Sequence, residues 1–194
     1  MKIQIIALPR SGSSYLRSML DFQMSNNEDY FSISEPFNSS KNHKLTNDEI
    51  LHCIKNKKNV LVKNMIFELF DTTLMFDYVI CLSRKNLFEA TLSRVIALTT
   101  NKWDESYSDE LKITINFLQF KKFLDETIEW NEKILDTKCN KLIFYEDLAF
   151  NSAVDIELFD GIVEHKNEYN TSLLYNKQKI ITNYLELKQE FGNI

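Results

Sequence analysis

Apolar residues along this chain follow two rhythms: short unbroken runs, and longer stretches where they recur every three or four positions. Ile3 to Leu8 is the first run; it gives way to Pro9-Arg10-Ser11-Gly12-Ser13-Ser14, after which Leu16, Met19, Leu20 and Met24 return at helical spacing over Tyr15 to Met24. That reads as strand, turn, helix. Tyr30 to Ser34 reads as a weaker strand closing on Glu35-Pro36, and Asn38 to Asn47 is polar and loop-like. Thr46 followed by Glu49 predicts a capping box opening a helix that runs to about Lys55. Val60-Leu61-Val62 and Tyr78 to Leu82 are continuous β-branched or apolar runs, as expected of strands covered on both faces in a parallel sheet. Phe88, Leu92 and Val95 mark a helix after the fourth strand, and Phe117, Phe120, Leu124, Ile128 and Leu135 mark a long one with charges on its other face. Lys141 to Tyr145 predicts a fifth strand, and Ile180, Tyr184, Leu187 and Phe191 a closing amphipathic helix.

Strands alternating with helices predict an α/β three-layer sandwich with a mainly parallel sheet of about five strands, whose ligands bind beyond the carboxyl ends of the strands. With 194 residues, no internal repeat and no linker-like tract, residues 1–194 read as a single domain. The chemically capable residues collect where that architecture wants them. Arg10 to Ser14 follow the first strand, Glu35 the second, Lys63 ends the third, and Arg84 and Lys85 follow the fourth.

Charge and cysteine usage exclude several function classes. A formal net charge of -5 supplies no basic footprint for a nucleic-acid backbone, so nucleic acid is not an expected partner. Nowhere does a run of about 18 uncharged apolar residues occur, and Lys2 to Ile6 is too short for a signal peptide, so no membrane partner and a cytoplasmic location are expected. Cys53, Cys81 and Cys139 lack paired spacing and read as buried reduced thiols, with neither a disulfide framework nor a zinc site.

Only 3 glycines and 2 prolines occur, and Pro9 and Gly12 fall in one short segment, which makes that turn the most informative on the chain. A turn between a buried strand and a helix leaves backbone N–H groups pointing one way, with the helix dipole behind them, and an anion is their natural occupant. Gly12 lets the backbone curl close, Ser13 and Ser14 offer hydroxyls, and Arg10 offers a planar charged donor. The plain alternative is an ordinary turn with serine caps. A Mg-triphosphate loop needs a second glycine followed by Lys and Ser/Thr, and this turn has neither.

The segment Leu8-Pro9-Arg10-Ser11-Gly12-Ser13-Ser14-Tyr15 resembles the 5′-phosphosulfate loop of sulfotransferases that use 3′-phosphoadenosine 5′-phosphosulfate (PAPS). Val79 to Arg94 resembles the family's 3′-phosphate segment, and Leu142 to Leu148 its late strand ending in Tyr-Glu-Asp-Leu. The resemblance implies the P-loop-like sulfotransferase fold, with PAPS as donor, its product PAP (adenosine 3′,5′-bisphosphate), and no metal. It further implies that Arg10, Ser11, Gly12, Ser13 and Ser14 hold the 5′-phosphosulfate, and that Tyr15 sits where cytosolic enzymes have an adenine-stacking Trp. Arg84 and Ser93 would take the 3′-phosphate. The family's usual spacing of eight matches Lys85 to Ser93 and falls one short of Arg84 to Ser93, so Lys85 stays a contender against the bidentate Arg84.

Cytosolic members carry Lys-Thr-His at the end of the third strand, with the histidine as base, whereas this chain has Lys63-Asn64-Met65. Glu35-Pro36-Phe37 is similar to the Glu-Pro element of branches that use a glutamate base, acting on carbohydrates or tyrosine. The resemblance therefore makes Glu35 the catalytic base, with Arg10 and Lys63 stabilising charge during sulfuryl transfer to a small-molecule, carbohydrate or peptide acceptor. His43 is the fallback base; His52 and His165 read as surface residues. Lys177 and Lys179 could reach the 3′-phosphate from the tail, but a solvated helix face explains them better; Glu146 and Asp147 read as residues that orient or cap the next helix. The alternatives are a nucleotide kinase-like enzyme and a non-catalytic nucleotide-binding domain of the same fold. The loop from Phe37 to Asn47 and the stretch Thr99 to Asp109, with Trp103 and Tyr107, are candidates for shaping the acceptor pocket.

Overall fold

The computed structural model of the chain describes residues 1–38, 43–68, 75–103, 110–150, 153–154, 163–164 and 177–193. Parts of both candidate acceptor loops, Tyr107 among them, lie outside the described residues, as does His165. At the centre runs β1 (Lys2–Ala7), paired in parallel with β3 (Asn59–Met65) on one side and β4 (Tyr78–Ser83) on the other. The sheet is completed by β2 (Tyr30–Ser34), parallel to β3, and β5 (Lys141–Phe144), parallel to β4. Its order is β2-β3-β1-β4-β5, the predicted α/β architecture.

After Lys2, β1 is apolar on both faces apart from Gln4, because both faces are covered; the buried Gln4 donates through Nε2 to Asn64 Oδ1 of β3 at 3.3 Å. Ile3, Ile5 and Ala7 pack with Leu16, Leu20 and Met24 of α1 (Ser13–Met24) and Leu148 of α5 (Tyr145–Phe150). On the opposite face, Ile6 and Leu8 meet Leu92, Val95 and Ile96 of α3 (Leu87–Thr100) and Phe120 and Leu124 of α4 (Phe117–Asp136). α2 (Asn47–Asn56) lays Ile50 and Ile54 on Val60 and Val62 of β3. Leu16 and Leu20 are fully buried, each burial contributing about 1.5–3 kcal/mol, so truncating either would loosen α1 from the sheet.

The capping box at α2 is present: Glu49 N donates to Thr46 Oγ1 at 3.3 Å and Thr46 N to Glu49 Oε2 at 2.8 Å. Three expectations need correction. Tyr145 opens α5 instead of ending β5. Of the three cysteines, Cys81 is buried, while Cys53 and Cys139 are partly exposed; all three are free thiols. The closing helix is not continuous: residues 177–180 make a helical turn, the chain then breaks, and α6 (Tyr184–Phe191) follows. The break has a cause in the backbone. Ile113 N donates to Ile180 O and Thr182 N to Ile113 O, both at 2.9 Å, which takes Ile181 out of the helix into a bridge. A small antiparallel pair, β6 (Ala153–Val154) with β7 (Val163–Glu164), has no counterpart in the sequence reading.

After β1 the chain crosses to β2 on one side, and after β4 it crosses to β5 on the other. The carboxyl ends of β1 and β4 therefore border a crevice from which both connections lead away, the place where open parallel sheets bind ligands.

Candidate active site

The turn after β1 keeps one helix end open. Leu8 N still donates to Leu82 O of β4 at 2.9 Å, then the backbone reverses through two left-handed residues, Arg10 (φ 64°) and Gly12 (φ 77°). Ser11 is buried: its amide and hydroxyl both donate to Leu8 O, at 3.2 and 2.6 Å, so its hydroxyl braces the turn. The amides of Gly12, Ser13 and Ser14 make no hydrogen bond to any described residue. α2, α3 and α4 each begin with a side-chain cap, but α1 has none, and no acidic residue lies in its first turn. The positive end of the α1 dipole and three amides without a partner among the described residues make a candidate anion cradle. Gly12 is needed twice over. Its φ suits glycine, and an added Cβ would stand 2.9 Å from Cδ2 of Tyr145.

Arg84 and Lys85 separate cleanly. Arg84 is 6% exposed and turns into the crevice: Nη1 donates to Arg10 O at 2.8 Å, Nε to Glu146 Oε1 at 3.1 Å, and the guanidinium lies 4.0 Å from the centre of the Tyr145 ring. Lys85 turns outward to Asp147 at 2.6 Å. Glu146 also accepts from the amides of Lys85 and Asn86, so one carboxylate fixes both the β4–α3 turn and the Arg84 side chain. Arg10 is less simply placed. Its Nη1 donates to Trp103 O, and its Nε is buried with no partner among the described residues. Ser93 is buried on α3 and forms no hydrogen bond with the other described site residues.

Lys177 overturns the expectation of a solvated face. It is 7% exposed, and its Nζ donates to Glu89 O and Glu89 Oε2, each at 3.1 Å. Tyr184 OH donates to the other Glu89 oxygen at 2.8 Å. Burial pushes the Lys177 ammonium down to about 8; Glu89 opposes the shift, while the positive charges of Arg84 and Arg10 add to it. Three cations from separate stretches, Arg10, Arg84 and Lys177, thus feel one another at the mouth of β1 and β4. Lys179 is exposed.

The second half of the site lies at the ends of β2 and β3. Glu35, 8% exposed, pairs through Oε1 with Lys63 Nζ at 2.9 Å, and Lys63 Nζ is 3.5 Å from Ser14 Oγ on α1. Glu35 sits at φ 53°, held there by its amide donating to Lys63 O at 2.6 Å. Asn38 Nδ2 donates to Glu35 Oε2 at 3.1 Å, and His43 Nε2 stands 2.8 Å from Glu35 O. Left-handed φ at a non-glycine costs roughly 1–3 kcal/mol and concentrates at functional positions. Among described non-glycine residues, only Arg10, Asp29, Glu35 and Asn101 have positive φ, and two of them are candidate site residues. His52 is exposed on α2 beside Asn56.

Sequence reasoning missed Glu68 and Glu89, and had Asn38 only as part of the loop from Phe37 to Asn47. Glu89 had a weak signal in the Asn86-x-x-Glu89 start of α3, where Asn86 Oδ1 accepts from Glu89 N at 2.9 Å. Glu68, on the 3-10 turn Ile66–Glu68 after β3, had none.

No protein-family model matches the chain, and neither does any curated protein. Among solved structures, the chain is similar to the crystal structure of mouse sulfotransferase SULT7A1 complexed with PAP, at 14% identity and a TM-score of 0.46. The match takes in 97% of this chain and spans 62% of that one. No helix among the described residues is long and apolar enough to cross a membrane.

Proposed function

We propose that this chain is a sulfotransferase that moves the sulfuryl group of PAPS to an acceptor hydroxyl or amine by in-line displacement. One observation carries the reading: the Glu35 carboxylate and Lys63 ammonium, 2.9 Å apart, stand beside the uncapped start of α1, with Lys63 3.5 Å from Ser14 Oγ. A proton acceptor and a cation share one anion cradle, the minimum that metal-free transfer to a hydroxyl needs.

When bound, PAPS supplies an activated sulfuryl group whose leaving group is the 5′-phosphate of PAP. The open amides of Gly12, Ser13 and Ser14, with the hydroxyls of Ser13 and Ser14, fit its 5′ end. Arg84 and Lys177 suit the 3′-phosphate, with Ser93 nearby on α3, and Arg10 has an unused buried Nε to turn toward the nucleotide. Lys85 is the weaker contender for that role, since its ammonium pairs with Asp147. Tyr15, whose hydroxyl binds its proton more tightly through burial, offers its ring to the adenine. Glu35 takes the proton of the acceptor as it attacks, and Lys63 stabilises charge on the transferring group while holding Glu35 in place.

The test is transfer of label from PAPS to a panel of sugars, tyrosine peptides, small alcohols and amines. Labelled product and PAP together establish the activity. No transfer to any acceptor and no PAP binding would remove the reading.

A further inference from the structure

Beside the Glu35–Lys63 pair sits a carboxyl that the proposed reaction has not used. Glu68 is carried on the 3-10 turn Ile66–Glu68, directly after the strand that bears Lys63. Its Oε2 accepts from Met65 N at 3.2 Å, which anchors the side chain back over the end of β3. Its Oε1 is buried and has no hydrogen-bond partner among the described residues. Desolvation of that oxygen works against ionising Glu68, and the Met65 amide, Lys63 and Asn38 work for it. Burial accordingly raises the proton affinity of Glu68; the negative charge of Glu35 raises it further, while the Met65 amide, Lys63 and Asn38 oppose the shift. The groups facing Glu68 are thus Glu35 from the end of β2, Lys63 from β3 and Asn38 from the following loop, with His43 beyond them on the Glu35 carbonyl.

We propose that Glu68 is a positioning residue for Glu35: a second carboxyl that opposes Lys63 electrostatically and keeps Glu35 able to take a proton from the acceptor. The need follows from the geometry. Lys63 Nζ, itself buried and 2.9 Å from Glu35 Oε1, sets a positive charge directly against the proposed base. A second negative charge on the half-buried Glu68 beside that pair pushes the other way, because like charges disfavour each other's ionisation. Asn38, lying against both carboxyls and donating to Glu35 Oε2 at 3.1 Å, keeps Glu35 oriented as the balance shifts.

This inference rests on the assignment of Glu35 as base, but its test does not need turnover. The titration of Glu35 is followed by carboxyl NMR in the wild-type chain and in Glu68→Gln and Glu68→Asp. In Glu68→Gln the Glu35 midpoint falls by at least about half a pH unit, the size expected of one charge a few ångströms away even at high effective dielectric; Glu68→Asp restores most of it. The wild-type chain alone supplies a second reading, since the Glu35 signal then shows a further step at the midpoint of Glu68. A Glu35 midpoint unmoved by Glu68→Gln, or a wild-type Glu35 curve with no second step, overturns the role of Glu68. Binding of PAP, which Glu68 does not touch, reads the sulfotransferase assignment separately. Where transfer is measured, the acidic limb of the kcat profile moves to lower pH in Glu68→Gln and the plateau falls, with KM for PAPS unchanged. An unshifted limb contradicts the proposal.

Discussion

The two ends of the site are built on opposite electrostatic plans. At the mouth of β1 and β4 the buried cations Arg84 and Lys177, with Arg10, meet two carboxylates, Glu146 and Glu89, each of which holds a cation from another element. At the mouth of β2 and β3 a single ammonium, Lys63, faces two carboxyls, Glu35 and Glu68. The first plan suits a multiply charged anion, whose arrival adds counter-charge to cations that are already desolvated. The second suits an uncharged group from which a proton must be taken. α1, which joins the halves, starts uncapped, so its free amides lie between the two plans.

Substitutions on the two sides should therefore fail differently. The largest effect is expected from Glu35→Ala, which lowers transfer by about 10²–10⁴-fold and leaves PAP affinity within about twofold, as seen by label transfer beside calorimetry. Full turnover by this variant would remove Glu35 from its role. Next is Arg84→Ala, which loses contacts to Arg10 O, Glu146 and Tyr145 and leaves the Glu146 carboxylate unpaired. PAP affinity should drop by roughly 1.5–3 kcal/mol, measured by calorimetry, together with some stability.

Lys177→Met should cost about tenfold in PAP affinity and, more tellingly, change its pH dependence. In the wild-type chain the ammonium deprotonates near pH 8, so affinity holds below that value and falls above it. In Lys177→Met affinity is low and flat across the range. The same depressed value has a stability signature. From about pH 8 up to the ordinary lysine range the folded chain binds fewer protons than the unfolded one, so stability gains from this group as pH rises, and below pH 8 the burial cost is present in full. The smallest effect is expected from Lys85→Ala. Its pair with Asp147 is about half exposed on both sides, worth about 0–1 kcal/mol, and PAP binding should change less than twofold.

Much of the fold was legible because its strands are covered on both faces: Ile3 to Leu8 and Tyr78 to Leu82 carry no polar alternation that a surface strand would show. Local chemistry was legible for the same reason, as with the Thr46 and Glu49 box, whose partners lie three residues apart. What could not be read were choices made at long range. Arg84 and Lys85 are neighbours on one turn, and partners far along the chain, Arg10, Tyr145 and Glu146 for Arg84 and Asp147 for Lys85, set where each one points. Lys177 looked like one face of a continuous helix until the bridge of Ile181 to Ile113 broke that helix and left Lys177 against Glu89. The left-handed backbone of Arg10 and Glu35 has no sequence signature, since neither is a residue that seeks it.

The account stands on the claim that the open end of α1, with Arg84 and Lys177, receives a nucleotide carrying phosphate at both its 3′ and 5′ positions. The direct measurement is thermal unfolding of the wild-type chain with PAP, with adenosine 5′-phosphate and with Mg-ATP. PAP at about 100 times its Kd should stabilise the fold by about 2.7 kcal/mol, with the other two nucleotides giving much less. Stabilisation by Mg-ATP alone, or by none of the three, would contradict it.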